Sequence, residues 1–347
     1  MKIALSLVRQ CRTVVAMTAA TQQGAAAPLI TAAAADGLVL AVTSKKIIAQ
    51  GVCQLTLGEP EGRLLPDWAP GAHIDLVLPG ERVRQYSLCG DRWDPFEYRI
   101  AVLREPNGHG GSAYVHDELT IGQLVPVGGP RNNFHLVPAT KYLFIAGGIG
   151  ITPLLPMVDQ ACRLGIEWSL IYGGRSLQSM AYITELAAHG TAVILWPQDC
   201  KGLIDLEAAL ASAGPDTMVY CCGPDPLLTA MQSHCKDWPP GRLRIERFVP
   251  APIPAPLRNQ PFEVHLQRSN RSVTIGPGVS VLDALHKAGA TVLSSCRRGV
   301  CGTCETSVVS GIPDHRDSLL SDTERAANDR MYPCVSRSCS DQLVLDL

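Results

Sequence analysis

Near its C-terminal end the sequence contains the stretch Ser294-Ser295-Cys296-Arg297-Arg298-Gly299-Val300-Cys301-Gly302-Thr303-Cys304. Its cysteines are spaced C-x4-C-x2-C, and 29 residues separate the last of them from a fourth cysteine, Cys334. This spacing is typical of the thiolates that hold a plant-type [2Fe–2S] cluster. Glycines in the loop can adopt backbone angles that other residues resist, so amide groups can face the sulfurs. The sequence therefore predicts a one-electron iron–sulfur centre whose ligands are Cys296, Cys301, Cys304 and Cys334.

Two other interpretations of these cysteines are open: a zinc site, and unrelated thiols of a hydrophobic core. Zinc sites usually pair two C-x2-C knuckles, and this chain has one. His315 is not needed as a ligand, because Rieske centres replace two cysteines by two histidines. Cys339 falls outside the spacing and is not predicted to be a ligand.

The composition limits the class of protein. The chain has 347 residues, of which 46% are hydrophobic and 18% charged, and its net charge is −2. This suits two or three domains with real cores, and the charge disfavours nucleic acid or a membrane as partner. No apolar run reaches the roughly 18 residues of a membrane span. Nine of the 13 cysteines lie outside the cluster spacing and show no disulfide framework, which predicts reduced thiols in a cytoplasmic protein.

The chain divides into five parts. Residues 1–35 are Ala-rich and polar after a short apolar start, so we predict a poorly ordered extension rather than a signal peptide, with Met17 as an alternative start. Residues 36–138 carry short alternating strands, and residues 139–249 carry strands that alternate with helices. Residues 250–261 are rich in proline and predict a semi-rigid linker. Residues 262–347 surround the cysteines.

Short strands separated by turn signals predict that residues 36–138 form an antiparallel β-barrel. In Arg84-Gln85-Tyr86-Ser87-Leu88, alternate residues share a face, so Arg84 and Tyr86 can hold a phosphate and stack a planar ring. In Gly108-His109-Gly110-Gly111-Ser112, small residues before a helix can turn N–H groups towards an anion. Each feature alone is more typical of a surface strand or a loop. Together, upstream of a cluster, they predict a flavin site.

Alternating strands and helices predict a parallel α/β sheet in residues 139–249, with its ligand at the carboxyl ends of the strands. The first such end is Gly147-Gly148-Ile149-Gly150-Ile151-Thr152-Pro153, which lets a pyrophosphate approach a helix N-terminus. It differs from the dinucleotide fingerprint, because Pro153 replaces the third glycine and Arg175 stands where an acid is expected. Asp199 follows the third strand and is either an adenosine-ribose contact or an ordinary loop acid.

These features together resemble the phthalate dioxygenase reductase family, which includes the vanillate demethylase reductases, over residues 36–347. The resemblance implies an FMN-binding barrel, a nicotinamide-binding domain and a C-terminal β-grasp ferredoxin domain, in that order. It implies FMN rather than FAD. Relatives often carry a lysine where this chain has Leu103, and Arg104 is its candidate substitute. The implied FMN contacts are Arg84, Tyr86, Ser87, Leu88, Arg104, Gly110, Gly111 and Ser112.

The resemblance also places the hydride-transfer position. Residues 147–153 become the nicotinamide loop, and Cys222, before Gly223 and Pro224, lies beside the nicotinamide ring. Phe248 covers the flavin until the nicotinamide displaces it, and Thr152 joins these two as a candidate catalytic residue. A buried structural thiol and a core aromatic are the alternatives for Cys222 and Phe248. The family favours NADH, although Arg175 can also meet a 2′-phosphate.

The implied function is that of an electron converter. It takes two electrons from NADH as hydride and passes single electrons to a separate Rieske non-haem iron oxygenase that acts on an aromatic acid or similar compound. The reductase is expected to be a monomer on its own. The alternatives are a self-contained oxidoreductase with its own small organic substrate, and a ferredoxin-like binding module.

Overall fold

The computed structural model describes residues 38–80, 82–249 and 253–347. The predicted extension at residues 1–35, with Met17, lies outside the described residues, as do residues 250–252 of the linker. Within the described residues, no helix is long and apolar enough to cross a lipid bilayer.

The N-terminal part of the described chain is a six-stranded antiparallel sheet with one helix, α1 (Gly111–Asp117). Just past one edge strand, the Cys89 amide donates to the Arg99 carbonyl of the other edge strand at 2.8 Å. The two edges therefore meet, and the sheet curves into the predicted antiparallel barrel. Its strands are β1 (Leu38–Ala49), β2 (Val52–Gly58), β3 (Ala72–Leu78), β4 (Arg82–Ser87), β5 (Glu97–Leu103) and β6 (Leu124–Asn132), in the order β4-β3-β6-β1-β2-β5.

Alternating apolar residues place one face of this sheet in a core. Leu40 and Val42 of β1 and Ile74 and Leu76 of β3 are at most 1% exposed. Each such side chain gains about 1.5–3 kcal/mol from leaving water. Strand β6 is absent from the elements predicted from the sequence, because its residues Pro126, Gly128, Gly129 and Pro130 are typical of loops.

The middle of the chain is a five-stranded parallel sheet between two layers of helices. Alternate residues of the central strand β7 face different cores: Phe144 packs in one, Leu143 and Ile145 in the other. The strands are β7 (Lys141–Gly147), β8 (Glu167–Gly174), β9 (Val193–Pro197), β10 (Thr217–Cys222) and β11 (Leu243–Glu246). The helices are α2 (Leu154–Arg163), α3 (Ile183–Ala187), α4 (Gln198–Lys201), α5 (Leu206–Ala211) and α6 (Asp225–His234).

The strand order of this sheet, β11-β10-β7-β8-β9, reverses beside β7. Strands β8 and β9 extend the sheet on one side of β7, and β10 and β11 extend it on the other. The crevice at a reversal of this kind, outside the carboxyl ends of the strands, is where ligands bind in open α/β sheets. In this chain the loops after β7 and β10 form the crevice.

The C-terminal part is a β-grasp sheet, as predicted. Its first and last strands lie side by side in parallel, and helix α7 (Val281–Lys287) packs on the sheet. Ser280 caps this helix by accepting a hydrogen bond from the Asp283 amide at 3.0 Å. The remaining elements are β12 (Phe262–Leu266), β13 (Arg271–Ile275), β14 (Thr306–Ser310), β15 (Pro313–Asp314), α8 (Asp322–Ala327), β16 (Arg330–Met331), β17 (Arg337–Ser338) and β18 (Gln342–Leu345).

The barrel and the parallel sheet share a continuous core. Val52, Cys89 and Ala101 of the barrel pack into the same hydrophobic cluster as Phe144 of β7. The Cys89 sulfur lies 3.2 Å from the hydroxyl of Tyr182 in the parallel-sheet region. These contacts fix the barrel against the crevice of the parallel sheet.

Candidate functional site

The four predicted cluster cysteines come together in the β-grasp region as two pairs. The Cys301 thiol lies within hydrogen-bonding reach of the Cys296 sulfur, and the Cys304 thiol within reach of Cys334. Cys296 is half-buried and the other three are buried. In the part of the chain that the structure describes, no three Cys, His, Asp or Glu side chains surround a single metal position. Two thiolates for each of two irons fit this pairwise arrangement.

The cluster loop supplies donors as well as thiols. The Arg298 amide donates to the Cys296 sulfur at 3.3 Å, and the Gly299 amide donates to the Cys334 sulfur. The Thr303 hydroxyl lies within hydrogen-bonding reach of the Cys301 sulfur, and the buried Ser295 hydroxyl has no hydrogen-bond partner within the described residues. Donors that face a sulfur-rich centre in this way stabilise its negative charge. The donor set therefore fits a [2Fe–2S] cluster.

Each pair combines one thiol with a lowered pKa and one with a raised pKa. The hydrogen bond from Cys301 lowers the pKa of Cys296 to about 6. The same bond, with burial, raises the pKa of Cys301. Cys304 acts on Cys334 in the same way and lowers its pKa.

The structure brings the two predicted flavin features of the barrel together. A Cβ atom on Gly111 would lie 2.7 Å from Nε of Arg84, so the Arg84 side chain passes directly over the start of helix α1. Arg84 Nη2 donates to the carbonyl of His109 in the same loop at 3.4 Å. Tyr86 is half-buried and packs against the barrel core, and burial raises its pKa to about 12. A guanidinium, a glycine loop and an aromatic ring therefore share one edge of the barrel.

Sequence reasoning missed Arg82, which belongs to the same group. Its Nη1 is 3.5 Å from the His109 carbonyl and would be 2.6 Å from a Cβ on Gly110. Arg82 precedes Arg84 by two positions in β4, so the period-two rule that paired Arg84 with Tyr86 also predicts this residue. Two guanidinium groups thus flank the glycine loop.

The remaining predicted flavin residues lie in different settings. The buried Ser87 hydroxyl has no hydrogen-bond partner within the described residues, so a ligand can satisfy it. Leu88 is fully buried in the barrel core, which leaves only its main chain for a ligand. The Ser112 hydroxyl accepts from the Glu105 amide at 3.0 Å. Arg104 is exposed and forms a 2.5 Å ion pair with Asp117 at the other end of α1, away from the glycine loop.

The loops after β7 and β10 touch in the crevice of the parallel sheet. A Cβ atom on Gly150 would lie 2.3 Å from the Cys222 carbonyl oxygen and 2.6 Å from the Gly223 nitrogen. A Cβ on Gly147 would lie 2.6 Å from Pro224. Only glycine permits this approach, because main-chain atoms cannot move aside cheaply. The predicted nicotinamide loop and the Cys-Gly-Pro segment therefore form one wall.

The three predicted catalytic residues differ in exposure. Cys222 is 0% exposed, and burial raises the pKa of its thiol well above the usual range. Thr152 is buried too, and its hydroxyl donates to the Ile149 carbonyl at 2.9 Å. Phe248, just past β11, is 37% exposed. A nicotinamide ring can reach Cys222 only after a neighbouring group moves.

The predicted adenosine contacts, Arg175 and Asp199, are brought together at the ends of neighbouring strands. The Asp199 amide donates to the Arg175 carbonyl at 3.1 Å, and both side chains are exposed. They lie on the β8–β9 side of the crevice, so a cofactor with its pyrophosphate on residues 147–153 would extend its ribose towards them.

Glu246 is a second residue that sequence reasoning did not assign to the site. It pairs with Cys222 in the register of β10 and β11. The side chain is half-buried, but its Oε2 atom is buried and has no hydrogen-bond partner within the described residues. Burial raises the pKa of this carboxyl to about 8. A protonatable group therefore lies next to the candidate hydride-transfer thiol.

We expect Glu246 to make stability depend on pH. Between the ordinary value of 4.5 and about 8, the folded protein holds a proton that the unfolded chain has released, so stability falls as pH rises. Glu246→Gln removes this contribution. The melting temperature of the variant minus that of the wild type should therefore increase from about pH 5 to about pH 8.

The control for this experiment is Glu207→Gln, which changes an exposed carboxylate on α5. A difference in melting temperature that stays constant with pH for both variants would show that Glu246 is ionised in the folded protein.

Comparisons with known proteins agree with this geometry. The family described as "2Fe-2S iron-sulfur cluster binding domain" matches residues 264–339. A protein named phenoxybenzoate dioxygenase subunit beta, from Ectopseudomonas oleovorans, is 44% identical over 86% of this chain and 94% of its own. The solved structure of phthalate dioxygenase reductase covers 92% of this chain and 100% of its own, at 36% identity and a TM-score of 0.66. The chain belongs to the phthalate dioxygenase reductase family.

A second solved structure, of an intact type IV self-sufficient cytochrome P450 monooxygenase, is also similar. It is 41% identical with a TM-score of 0.85, and the match covers 89% of this chain and 41% of that chain. As a phthalate dioxygenase reductase relative, the protein is an oxidoreductase that transfers electrons. The barrel, the parallel sheet and the ferredoxin domain are the fold of this family.

Proposed function

We propose that this protein takes hydride from NADH on a bound FMN and delivers single electrons through its [2Fe–2S] cluster to a separate terminal oxygenase. When bound, the flavin accepts a pair of electrons and the cluster takes them one at a time, which converts two-electron into one-electron chemistry. The observation that carries the proposal is that the barrel contacts both the crevice of the parallel sheet and the cluster loop. The barrel packs on the crevice of the parallel sheet on one side and touches the cluster loop through Asn133 and Cys301 on the other.

On this proposal, Arg82 and Arg84 hold the FMN phosphate with the amides of Gly110, Gly111 and Ser112. The guanidinium groups supply charge-assisted hydrogen bonds, and the glycines let the phosphate approach the main chain. Tyr86 lies against the ring system, and the unsatisfied Ser87 hydroxyl supplies a hydrogen bond to it. Leu88 contributes its main chain. Arg104 is held by Asp117, whose carboxylate offsets its charge, so it makes no direct contact with the phosphate.

For the nicotinamide cofactor, residues 147–153 receive the pyrophosphate and Arg175 and Asp199 receive the adenosine ribose. An Asp199 carboxylate accepts hydrogen bonds from ribose hydroxyls and repels a 2′-phosphate, which favours NADH over NADPH. Phe248 yields its place when the nicotinamide arrives, and this opens access to the region of Cys222 and Thr152. The neighbouring Gly223 and Pro224 form the wall against which the ring lies.

Arg84→Ala should weaken FMN binding strongly. Hydrogen bonds to charged groups contribute about 1.5–3 kcal/mol, which corresponds to about a 10- to 150-fold rise in the FMN dissociation constant. Titration of the apoprotein with FMN, followed by loss of flavin fluorescence, measures the constant.

Arg63→Ala is the matched control, because this exposed arginine pairs with the carboxylates of its own loop, Glu59 and Glu61. Equal FMN affinity in Arg84→Ala and the wild type would remove Arg84 from the flavin site.

The names of the relatives support a proposal for the electron acceptor. We propose a Rieske non-haem iron oxygenase for aromatic acids, since the relatives named above are components of dioxygenases that act on such compounds. A cytochrome P450 is the second candidate, favoured by the 41% identity to part of a self-sufficient P450 monooxygenase.

The test is to add the NADH-reduced protein, in parallel, to a purified Rieske oxygenase of the phthalate type and to a cytochrome P450. Reduction of the Rieske centre, seen as its electron paramagnetic resonance signal, supports the first candidate. Reduction of the P450 alone would replace it with the second. Consumption of an organic substrate without either partner would show that the protein acts on a substrate of its own.

The other expectations remain part of this proposal. The domain boundaries stay at residues 36–138, 139–249, 250–261 and 262–347. A cytoplasmic location is proposed, because the cysteines outside the cluster spacing follow no disulfide framework in the sequence. A monomer is proposed for the isolated reductase, and analytical ultracentrifugation measures it.

A further inference from the structure

One contact links the barrel directly to the cluster loop. The Asn133 side chain, immediately after strand β6, donates through Nδ2 to the main-chain carbonyl of Cys301 at 2.9 Å. The two residues are 168 positions apart in sequence. Cys301 is one of the four predicted cluster ligands, so this hydrogen bond reaches the covalent frame of the cluster itself.

The next residue of the loop fits closely around the same side chain. Gly302 has φ +74°, and a Cβ atom there would lie 2.7 Å from Nδ2 and 2.9 Å from Oδ1 of Asn133. Any larger residue at this position would push the amide away and break its bond to Cys301. The loop and the asparagine are therefore complementary in shape as well as in hydrogen bonding.

A buried histidine of the barrel also contacts the Cys301 main chain, next to Asn133. His73 of strand β3 is 6% exposed, and its ring lies within hydrogen-bonding reach of the Cys301 main chain. In the barrel sheet, His73 pairs with Ser87 on one side and Arg131 on the other. Ser87 belongs to the proposed flavin site. The carbonyl of one cluster ligand thus lies against a strand that is hydrogen-bonded to the flavin-binding strand.

We propose that Asn133 is a positioning residue for electron transfer from the flavin to the cluster. Its amide holds the Cys301 segment against the barrel, and so fixes the distance and orientation between the two redox sites. The rate of electron transfer falls steeply with distance, and a small misplacement of reacting groups is costly. This inference rests on the proposed function and adds a residue that touches neither cofactor.

The test compares Asn133→Ala and Asn133→Leu with the wild type. The leucine variant keeps the volume of the side chain and removes the donor. Each holoprotein is mixed anaerobically with NADH, and the bleaching of flavin and of cluster is followed at separate wavelengths. Loss of one neutral hydrogen bond should slow cluster reduction about three- to tenfold and leave flavin reduction unchanged.

A readout independent of turnover separates positioning from a merely structural role. Hydrogen–deuterium exchange of residues 296–304 should become faster in both variants, because the loop loses its tether. Iron content and the resonance spectrum of the reduced cluster should stay the same. Gln342→Ala is the matched control, since its amide donates to Glu263 at 2.6 Å within the ferredoxin sheet, away from the barrel.

Several outcomes would overturn the proposal. Wild-type rates of cluster reduction in both variants would show that the contact does not position the loop. Loss of iron, or failure of both variants to fold, would assign Asn133 a structural role only. If NADH fails to reduce the wild type itself, the proposed function fails first, and that result is distinct from the other two.

Discussion

Cys301→Ser is expected to abolish electron delivery to cytochrome c and to leave NADH-driven reduction of a small dye in place. Cys301 is 2% exposed and paired with Cys296, so bulk water has little access to the position that its thiolate occupies. A serine hydroxyl is a far weaker iron ligand at neutral pH. Mutation of a group that only hydrogen-bonds to a metal ligand already lowers metal affinity or activity about 10- to 100-fold. Loss of the ligand itself should therefore lower the rate of cytochrome c reduction by at least about 100-fold.

Dye reduction should survive because the flavin and nicotinamide sites are built from other parts of the chain. The measurement is a pair of steady-state assays on the folded variant, with iron and flavin contents determined on the same sample. Cys339→Ser is the matched control, because this half-buried thiol falls outside the ligand spacing and lies 4.0 Å from the Pro313 carbonyl. Loss of both activities in folded Cys301→Ser would contradict the order of transfer from NADH to flavin to cluster.

Gly150→Ala is expected to damage NADH use more than any other single-methyl change in the crevice. The added Cβ would lie 2.3 Å from the Cys222 carbonyl oxygen. The atoms that it meets belong to the main chain, so no side chain can rotate to relieve the clash. The loops must separate, at a cost of about 1–3 kcal/mol in stability. Once the loops after β7 and β10 have separated, their main-chain groups no longer lie where the pyrophosphate and the nicotinamide ring would contact them. We expect kcat/KM for NADH to fall at least about tenfold, which corresponds to a loss of about 1.4 kcal/mol in transition-state binding.

The measurements for this variant are dye-linked NADH kinetics and thermal unfolding, with FMN affinity as an internal check. FMN affinity should stay at the wild-type value, because the barrel site lies outside the crevice. Gly214→Ala is the control, since nothing lies within 4 Å of its Cβ position. Unchanged NADH kinetics in Gly150→Ala would show that the cofactor does not bind between these two loops.

The cluster could be predicted from the sequence because its ligands carry their own spacing. Three of the four cysteines lie within one loop, so their convergence is a local property. The fourth, Cys334, follows Cys304 after 29 residues, a sequence separation typical of plant-type ferredoxins. The capped helix α7 is local in the same way, because Ser280 and Asp283 lie within one turn. Strand β6 could not be predicted, because its proline and glycine residues are typical of loops. It forms a strand because it pairs with β1 and β3, which lie far away in the sequence.

The sites that join distant segments were predicted only in part. The stretch 84–88 and the loop 108–112 were each ambiguous, and the structure shows that Arg84 crosses the loop. Arg82 was missed, although it lies two positions before Arg84 in the same strand and therefore on the same face. The burial of Cys222 and the raised pKa of Glu246 depend on the packing of β10 against β11, and the bond from Asn133 to Cys301 depends on how the barrel meets the ferredoxin domain. Nothing in a single sequence encodes such packing locally.

An anaerobic titration of the purified protein with NADH tests the central claim most directly, when iron, acid-labile sulfide and flavin are determined on the same sample. If one chain carries both redox centres, the flavin takes two electrons and the cluster one, so bleaching should end at about three electrons per chain. The reduced cluster should then give its own resonance signal. Folded, flavin-containing protein that holds no acid-labile sulfide, or a cluster that NADH leaves oxidised, would contradict the account.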